Sequence, residues 1–415
     1  MRVCLVGGGG REHALAVVLG RTADVVVTPG SAGIPGSVAT PPEEIDADLF
    51  VIGPEQPLVD GLADRLRGRG HLVFGPGADG ARLEGSKRWM KDLLAAAGVP
   101  TARYGVFGDV APAAAFLAGM DGPFVVKTDG LAAGKGVLVT DDRREAAADV
   151  AEKLSGRAFG AAGTRVVIEE GLSGAEISVL AVCDGHRLAV LPAAQDHKRV
   201  GDGDSGPNTG GMGAYSPVPF VDRALIDEIT DTALEPTLAA LVKDGIDYRG
   251  VLYAGLMLTS SGPKVLEYNV RFGDPEAQVV LPRLEGDVAA WLASAAAGDL
   301  DPEPAVSADA CVTVVMCSEG YPQAPRVGDR VLGIEDASAV PGVTVQCAGV
   351  ATGPGGYLVT GGGRVLNVTA RAGSLEEARA RAYEAAGRIS WPGAHYRTDI
   401  AAAAAAGIAA GGVTA

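Results

Sequence analysis

Short runs of valine, leucine and isoleucine alternate with helix-like patterns along residues 1–86. Each apolar run ends at glycine or proline, which marks a turn. The runs predict strands at Arg2–Val6, Val25–Thr28, Leu49–Ile52 and Leu72–Phe74. Strands that alternate with helices in this way are typical of an open parallel sheet, in which ligands bind at the carboxyl ends of the strands. Residues 1–86 are therefore predicted to form an N-terminal parallel α/β domain.

The pattern changes after a helix predicted at Lys87–Ala97, which is followed by the helix-stopping residues Gly98 and Pro100. Between about residues 104 and 172, one helix is predicted at Arg143–Leu154. Apolar runs around it predict three strands, at Phe124–Thr128, Gly136–Val139 and Arg165–Glu169. A glycine-rich segment joins the first two strands, which predicts an antiparallel pair with a mobile tip.

The remainder of the chain is predicted to add a second group of strands and a small C-terminal unit. The strands of residues 173–293 are predicted at Glu176–Cys183, Arg187–Leu191, Val251–Leu258 and Lys264–Asn269, with a long loop at Gln195–Pro219. The C-terminal elements are predicted at Cys311–Met316, Val343–Cys347, Val365–Ala370 and, as a helix, Ser374–Ile389. The expected fold is a multidomain α/β and α+β protein. Its C-terminal α+β cap spans 300–399, and an Ala/Gly-rich tail at 400–415 is expected to be frayed or helical.

The amino-acid composition restricts the classes of molecule that the protein is expected to bind. Hydrophobic residues make up 47% of the 415-residue chain and aromatic residues 5%, so a core of small aliphatic side chains is expected. The formal net charge is −16 without a long basic run, which argues against nucleic acid as a partner. No signal region opens the chain and no apolar stretch has transmembrane length, so a cytoplasmic protein without membrane contact is expected. The five cysteines form no Cys-x-x-Cys pair, so neither a disulfide framework nor a zinc site is indicated.

The segment Phe124–Val137 joins a strand to a glycine-rich loop. The strand delivers Lys127, and the loop glycines allow backbone N–H groups to approach a polyphosphate closely. These glycines are Gly130, Gly134 and Gly136. The segment is not a Walker loop, because no Ser or Thr follows Lys135 and a strand follows where a helix is needed. The alternative interpretation is a glycine-rich hairpin with a solvated lysine.

A second strand ends in two carboxylates, Glu169 and Glu170, and Glu176 begins the next strand. A nucleotide lying across this hinge would have its adenine bound by backbone groups near Glu169 and Leu172. Glu176 would accept hydrogen bonds from its ribose hydroxyls. Strand alternation turns Glu170 to the opposite face from Glu169, so solvation of the strand end is the simpler interpretation of Glu170.

The third segment, Lys264–Glu276, carries candidate metal ligands. Alternation places Glu267 and Asn269 on one face, about 7 Å apart along the strand. A carboxylate and an amide oxygen suit the Mg²⁺ ion of bound ATP, which keeps its other positions for phosphate and water. Burying Glu267 in an apolar strand without a cation would be costly.

Three charged residues follow the candidate metal ligands. Arg271 stands where a guanidinium could hold a transferring phosphoryl group. Asp274 and Glu276 flank a proline at a predicted helix start, where capping of that helix is the alternative to a role in the site.

In this order, the three segments resemble the ATP-grasp superfamily, in which ATP is held between two α+β subdomains. Further motifs are similar to those of the phosphoribosylamine–glycine ligase family. They are Gly7–His13, Gly53–Leu58, Leu83–Lys87, Gln195–Arg199 and Gly206–Pro217, collinear with that family from residue 1 to about 399. The resemblance implies an N-terminal pre-ATP-grasp domain and an ATP-grasp domain at 87–293, with a lid subdomain at about 104–172.

The resemblance also implies a reaction. The chain would use ATP with Mg²⁺ or Mn²⁺ to join glycine to 5-phosphoribosylamine, in the second step of de novo purine biosynthesis. An acyl phosphate of glycine would be the intermediate, and no covalent protein nucleophile would be required. The expected partners are these small molecules, and the expected assembly is a monomer or a weak homodimer.

Residue roles follow from the same resemblance. ATP-binding residues would be Lys87, Lys127, Gly130, Gly134, Lys135, Gly136, Glu169, Glu170, Leu172 and Glu176. Catalytic residues would be Arg271, Lys127 and Asp274. The ribose phosphate and its amine would contact Gly8, Gly9, Arg11, Glu12, His13 and Glu55. The junction of the two substrates would be lined by Asp196, Lys198, Asn208, Thr209, Gly210, Gly211, Met212, Gly213, Arg271, Asp274 and Glu276.

Two positions depart from the family pattern, since Gly8 and Ser31 stand where asparagine is usual. Another ATP-grasp carboxylate–amine ligase or purine-pathway carboxylase is one alternative, although the loops at 195–199 and 206–217 argue against it. A dinucleotide-binding protein is a second alternative. Its glycine fingerprint is incomplete here, because Glu12 stands where the third glycine is needed.

Overall fold

The structure, a computed structural model, describes residues 1–131, 136–156 and 164–407. The N-terminal domain is a parallel four-stranded sheet of order β2–β1–β3–β4. Its elements are β1 (Arg2–Gly7), α1 (Gly10–Leu19), β2 (Asp24–Pro29), β3 (Leu49–Ile52), α2 (Glu55–Val59), α3 (Leu62–Arg67), β4 (Val73–Phe74) and α4 (Ala78–Gly85). The parallel sheet and its four strands are confirmed, with each strand end within one residue of its prediction.

Helix α5 (Lys87–Ala97) has the predicted bounds. Ser86 caps its first turn by accepting a hydrogen bond from the Trp89 N–H at 3.2 Å. Gly98 ends it with a φ of +70°, a left-handed conformation that glycine adopts without strain. The helix leads from the N-terminal domain into the next sheet.

The next unit is an antiparallel four-stranded sheet of order β5–β8–β6–β7. Its elements are β5 (Tyr104–Phe107), α6 (Val110–Ala118), β6 (Phe124–Thr128), β7 (Val137–Thr140), α7 (Arg143–Leu154) and β8 (Val166–Glu170). The antiparallel β6–β7 pair was predicted, but the single-helix prediction for this region was wrong because β5 and α6 were missed. Helix α6 is alanine-rich with a proline in its first turn and no clear polar face, so its sequence lacks the usual amphipathic signal.

A second antiparallel sheet has the order β10–β9–β15–β16. Its strands are β9 (Ala175–Asp184), β10 (Leu188–Val190), β15 (Arg249–Thr259) and β16 (Gly262–Asn269). Four strand segments lie between β10 and β15: β11 (Gln195–Asp196), β12 (Arg199–Gly201), β13 (Ser205–Asn208) and β14 (Gly213–Ser216). The helices of this region are α8 (Arg223–Ile229), α9 (Glu235–Lys243), α10 (Ala277–Val280) and α11 (Val288–Ala297).

The prediction of a long loop at Gln195–Pro219 was therefore wrong. Strands β12 and β13 form a hairpin, while β14 pairs with β11 and with a strand that begins at Ala310. The segment is rich in glycine, proline and polar residues, which have low strand propensity. Strand β14 forms because the distant strand that begins at Ala310 supplies hydrogen bonds to it, and a local pattern does not contain that information.

The C-terminal sheet has the order β11–β14–β17–β21–β18, so two of its strands come from the preceding region. Its other elements are β17 (Ala310–Cys317), α12 (Ile334–Ser338), β18 (Val343–Cys347), β19 (Val350–Thr352), β20 (Leu358–Thr360), β21 (Arg364–Ala372), α13 (Leu375–Ala386) and α14 (Ala402–Ala405). The expected α+β cap is thus joined by hydrogen bonds to the middle of the chain. Helix α14 accounts for part of the Ala-rich tail, and residues 408–415 lie outside the description.

The core consists mainly of the small aliphatic side chains expected from the composition. One buried cluster joins Leu5 of β1 to Leu180 of β9 and Leu292 of α11, so the N-terminal sheet packs against the second antiparallel sheet. Within the described residues, no helix is both long and apolar enough to cross a bilayer.

Candidate active site

One face of the β9–β15–β16 sheet carries a group of polar residues. Across the strands, Ser178 pairs with Gly255, which pairs with Glu267. In the neighbouring row, Tyr253 pairs with Asn269. Residues in such rows, and those two positions along a strand, point to the same side of a sheet. The side chains of these residues therefore share one surface, and Gly255, which has no side chain, lies against Glu267 at its centre.

Glu267 and Asn269, the candidate metal ligands, lie at the edge of this face. Burial opposes ionisation of Glu267, but Lys198, Lys127, Lys87 and the guanidinium of Arg271 outweigh it and lower the pKa of Glu267. The residue is therefore an anionic oxygen donor at neutral pH. Asn269 is buried, and its Oδ1 accepts a hydrogen bond from Arg271 Nη2 at 3.0 Å.

Glu267 and Asn269 offer an ionised carboxylate and an amide oxygen. These two donors fit a hard divalent ion whose remaining ligands are water and phosphate oxygens. Across the described part of the chain, no three His, Cys, Asp or Glu side chains gather as a metal cluster. A resident protein-only metal cage is thus absent from these residues.

Arg271 is held between two carboxylates. Its Nη2 lies 2.9 Å from Glu84 Oε1, and its Nε lies 3.4 Å from Glu55 Oε2. Burial opposes the charge of Arg271, but Glu84 and Glu55 outweigh it and raise the pKa of the guanidinium. Glu84 is itself fixed, since its Oε2 accepts a hydrogen bond from the Val270 N–H at 2.9 Å. The guanidinium therefore has a fixed position beside Asn269.

Three lysines approach the same region from α5 and β6. Lys127 Nζ lies 2.9 Å from Glu169 Oε1 and donates to the Leu266 carbonyl at 3.1 Å. Lys91 Nζ, which is fully buried, lies 2.8 Å from Glu169 Oε2. Burial lowers the pKa of Lys91 to about 8, although Glu169 opposes that shift. Lys87 Nζ donates to the Gly130 carbonyl at 2.9 Å, at the start of the glycine-rich segment.

The other predicted ATP-binding residues that the structure describes are Gly136, Glu170, Leu172 and Glu176. Glu170 points away from Glu169, towards Lys264 Nζ at 3.7 Å, as strand alternation predicted. Leu172 is half-buried in the turn before β9, and Glu176 forms an ion pair with Lys198. The Gly136 carbonyl accepts a hydrogen bond from the Thr128 N–H at 2.9 Å. Gly134, Lys135 and the predicted mobile tip lie outside the described residues.

The predicted ribose-phosphate site follows β1. The carboxylate of Glu12 accepts hydrogen bonds from the Gly9 N–H at 2.6 Å and from Arg11 Nε at 2.5 Å. Arg11 Nη1 lies 3.9 Å from Glu55 Oε2. At Gly8, a Cβ atom would lie 2.2 Å from the Gly30 carbonyl oxygen, so glycine suits this backbone where the family usually has asparagine.

His13 has a different environment from its predicted neighbours. Its Nδ1 accepts a hydrogen bond from the Cys347 N–H of β18 at 2.7 Å. Burial lowers the pKa of His13 to about 4. The ring is therefore neutral at physiological pH and ties α1 to the C-terminal sheet. The predicted contact of His13 with a phosphate stays a prediction.

The segment from Asp196 to Gly213 is brought against the turn that follows β16. Gly210 lies between Tyr321, whose hydroxyl accepts from the Gly210 N–H at 3.0 Å, and Arg364, which donates to the Gly210 carbonyl. Arg364 Nη2 also lies 3.1 Å from Asp274 Oδ2. Asn208 is exposed and Met212 is buried.

Backbone geometry explains two glycines of this segment. Gly211 has a φ of +108°, and a Cβ atom there would lie 2.4 Å from Pro275 Cδ. Gly213 has a φ of +156°, and a Cβ atom would lie 2.6 Å from the Thr313 carbonyl oxygen of β17. Thr209 Oγ1 donates to the Lys198 carbonyl at 2.8 Å, which closes the β12–β13 hairpin. Close packing therefore requires glycine where the sequence predicted substrate contact.

Comparison with known families accounts for nearly the whole chain. Descriptions of phosphoribosylglycinamide synthetase match its N domain at residues 1–84, its ATP-grasp (A) domain at 85–277 and its C domain at 311–403. The chain belongs to this family. The family predicted from the sequence motifs and the multidomain ATP-grasp fold are both confirmed.

Two relatives in the phosphoribosylglycinamide synthetase family are similar along nearly their full length. The phosphoribosylamine–glycine ligase of Caulobacter vibrioides is 49% identical over 96% of this chain and 97% of its own. The ligase of Streptomyces coelicolor is 48% identical over 98% of this chain and 100% of its own. A crystal structure of the Thermotoga maritima ligase has a TM-score of 0.85 and 36% identity, covering 96% of this chain and 100% of that one.

More distant structures share the fold of this family member. Biotin carboxylase from Campylobacter jejuni, solved as a β-γ-ATP complex, has a TM-score of 0.72 at 13% identity, over 97% of this chain and 98% of that one. At this identity the likeness concerns the fold alone.

Several residues of the site were missed by the sequence reasoning. Glu84 lies inside the Leu83–Lys87 motif, yet no role was predicted for it. Lys91 follows Lys87 by one helical turn, and a cation among apolar residues on that helix face was the available signal. Arg364 and Tyr253 gave no local signal, because the residues they contact are remote in sequence.

Proposed function

We propose that this member of the phosphoribosylglycinamide synthetase family joins glycine to 5-phospho-D-ribosylamine at the expense of ATP. The products are N1-(5-phospho-D-ribosyl)glycinamide, ADP and phosphate, as in the second step of de novo purine biosynthesis. The proposal rests on the similarity of this chain to two curated phosphoribosylamine–glycine ligases. The identity is 48–49% over nearly the full length of each pair of aligned sequences.

ATP binds between the two antiparallel sheets in this proposal. Lys87 and Lys127 neutralise its phosphates, and the Gly130–Gly136 segment covers them. The backbone near Glu169 and Leu172 holds the adenine, while the Glu169 side chain keeps Lys127 in position through their 2.9 Å ion pair. Glu176 accepts hydrogen bonds from the ribose.

Mg²⁺ or Mn²⁺ is held by Glu267 and Asn269. The ion supplies charge neutralisation for the phosphate oxygens of the nucleotide. The lowered pKa of Glu267 supports this assignment, because the carboxylate is ionised without competition from a proton at neutral pH. Arg271 lies beside Asn269 at 3.0 Å and stabilises the charge that develops on the transferring phosphoryl group.

The reaction proceeds by activation of the glycine carboxylate. Transfer of the γ-phosphoryl group to a carboxylate oxygen gives glycyl phosphate and ADP. The ribosylamine nitrogen then attacks the carbonyl carbon, and phosphate leaves as the amide forms. Catalysis therefore consists of positioning and electrostatic stabilisation, with no protein nucleophile. Closure of the sheet at residues 104–172 over the nucleotide would keep water from the acyl phosphate.

The remaining site residues bind phosphoribosylamine and close the junction of the substrates. The start of α1, with Gly8, Gly9 and Arg11, takes the ribose phosphate, since a helix N-terminus offers backbone N–H groups to anions. Glu55 contacts the ribose or its amine. Asp274 orients Arg364 and the loop at 208–213. The domain boundaries proposed are 1–86, 87–293 and 300–399, and the assembly proposed is a monomer or a weak homodimer.

A coupled assay tests the proposal. The purified chain is supplied with ATP, Mg²⁺, glycine and phosphoribosylamine generated in situ, and glycinamide ribonucleotide is scored directly by mass spectrometry. Product should form in equal amounts with ADP and phosphate, and omission of glycine should stop ADP formation. Brisk ATP hydrolysis without glycine, or product from another acid in its place, would contradict the substrate assignment.

A further inference from the structure

Two lysines share one carboxylate where the two antiparallel sheets meet. Glu169 of β8 lies 2.8 Å from Lys91 Nζ through its Oε2 and 2.9 Å from Lys127 Nζ through its Oε1. Burial opposes the ionisation of Glu169, but Lys127 and Lys91 outweigh it and lower the pKa of the carboxyl. The carboxylate is therefore ionised at neutral pH. With both lysines protonated, one positive charge of the group remains uncompensated.

The two lysines differ in what they can reach. The side chain of Lys91 is 0% exposed, whereas that of Lys127 is 8% exposed. Lys91 Nζ donates to Thr101 Oγ1 at 2.7 Å and lies 5.7 Å from the centre of the Tyr104 ring. Lys127 Nζ instead donates to the Leu266 carbonyl of β16, the strand that carries the candidate metal ligands. Lys127 can therefore contact a bound nucleotide, and the enclosed Lys91 cannot.

The position of Lys91 is fixed by several elements at once. Thr101, which accepts its hydrogen bond, donates from Oγ1 to the Val265 carbonyl of β16 at 2.6 Å. Tyr104 of β5 pairs directly across the strands with Glu169 of β8. Lys91 itself belongs to α5, so its ammonium is held between α5, β5, β8 and β16. An ammonium held on these sides cannot move to follow a ligand.

We propose that Lys91 is a positioning residue, which compensates the charge of Glu169 so that the charge of Lys127 remains available to the nucleotide phosphates. The inference rests on the proposed binding of ATP and adds a residue that does not touch the nucleotide. In that site Glu169 keeps Lys127 in place. A carboxylate with Lys127 as its only cation would neutralise the same charge that the phosphates need. A second cation on the enclosed side of Glu169 removes this conflict.

A purely structural ion pair is the alternative role of Lys91. A buried carboxylate needs one cation to balance its charge, and Lys127 already lies beside Glu169. Packing of α5 against β8 therefore does not require a second ammonium. Its burial is costly, and withdrawal from water lowers the pKa of Lys91 to about 8. A surplus of buried positive charge is favourable where a polyanion binds next to it, which is the position of Lys127 in the proposed ATP site.

Removal of the Lys91 charge tests the proposal in the full-length protein. Lys91→Met keeps a long apolar side chain, and Glu169 is then balanced by Lys127 alone. Loss of one charge-assisted interaction with the phosphates predicts a Kd for a nonhydrolysable ATP analogue with Mg²⁺ that is higher by about 10- to 100-fold in calorimetric titration. The Kd for adenosine, which has no phosphate, should be unchanged. Lys243→Met, at an exposed position of α9, is the matched control.

A double variant separates the proposed role from a structural one. Lys91→Met combined with Glu169→Gln removes the carboxylate together with the cation that compensates it, so the charge of Lys127 is again available. The double variant should bind the ATP analogue more tightly than Lys91→Met and close to the wild-type affinity. A structural role predicts the opposite order, because the double variant loses both buried charges. The comparison of the double variant with the wild type remains decisive if Lys91→Met alone does not fold.

Steady-state kinetics distinguish this inference from the proposed function. In Lys91→Met the KM for ATP should rise and the KM for glycine should stay the same. A wild-type chain that binds no ATP analogue would contradict the proposed function itself. A wild-type chain that binds the analogue and forms product, with the same Kd in Lys91→Met, would contradict only the role of Lys91.

Two further results would overturn the inference. One is an equal loss of affinity for adenosine and for the ATP analogue in Lys91→Met, which would show that the whole nucleotide site is displaced. The other is a double variant that binds the analogue at least 10-fold more weakly than the wild type, because Lys127 would then be free of Glu169 without any benefit to the phosphates.

Discussion

Arg364 lies at the start of β21 and joins two segments of the proposed substrate site. It donates to the Gly210 carbonyl, to the Asp274 carbonyl at 2.8 Å and to Asp274 Oδ2 at 3.1 Å. The Arg364→Gln variant keeps a polar side chain but cannot span all three acceptors. We expect it to release the loop at 208–213 from the turn that follows β16.

The expected loss of stability and of activity in the Arg364→Gln variant follows from these contacts. The Arg364 side chain is 22% exposed, so water compensates part of the loss, and a cost of about 2–3 kcal/mol in unfolding free energy is expected. Scaling the unfolding entropy to 415 residues gives about 0.9 kcal/mol per degree for cooperative unfolding, which corresponds to a melting temperature lower by about 3 °C. A displacement of about 1 Å in the loop would lower kcat/KM by about 100-fold.

Two measurements check this expectation: thermal unfolding, and kcat/KM for glycine and for phosphoribosylamine. Arg326→Gln is the matched control, because Arg326 forms ion pairs with Glu319 and Asp329 in the same C-terminal region but is more exposed. Arg364→Lys should recover part of the activity by contacting one acceptor. An Arg364→Gln variant with unchanged kcat/KM for both substrates would refute the reasoning.

Two further predictions concern Glu267 and His13. Glu267→Gln should abolish turnover and leave the fold intact in circular dichroism, because an amide replaces the anionic metal ligand; near-normal activity would remove Glu267 from the metal site. For His13, burial lowers the pKa from 6.5 to about 4, so between these values the unfolded chain binds a proton that the folded chain does not, and stability falls as the pH falls. His13→Asn, whose amide oxygen can accept from the Cys347 N–H, should remove about 2.5 kcal/mol of the change in stability between pH 7 and pH 4.5. Thermal unfolding of both proteins at pH 7 and pH 4.5 checks it, and parallel curves would contradict it.

The elements that the sequence predicts well are those whose signal is local. Strand β3 and helix α5 match their predicted bounds. The signal for β3 is an apolar run that ends at a turn, and the signal for α5 is a serine cap at its start and a glycine at its end. The shared face of Glu267 and Asn269 was predicted for the same reason, although the strand carries an irregularity near Leu266. Strand alternation alone places the two side chains on the same side of the sheet.

The features that the sequence did not predict depend on distant contacts. Strand β14 pairs with β17 about a hundred residues later, and nothing in its Gly-Ala-Tyr-Ser sequence indicates a strand. The ion pair between Lys91 and Glu169 joins residues 78 positions apart. Arg364 likewise reaches Asp274 across 90 positions. A local pattern carries no information about which remote residue will neutralise a buried charge.

The pairing of β14 with β17 bears on the mechanism as well as the fold. Gly213 begins β14, and its close approach to the Thr313 carbonyl fixes the end of the loop at 208–213. Arg364 of β21 fixes the middle of the same loop, and β21 is the other neighbour of β17. The C-terminal sheet therefore sets the position of the loop relative to Asp274, at the edge of the proposed substrate junction. On this argument the C-terminal region is part of the active site, and ATP binding should be less sensitive to its mutation than the use of glycine or phosphoribosylamine.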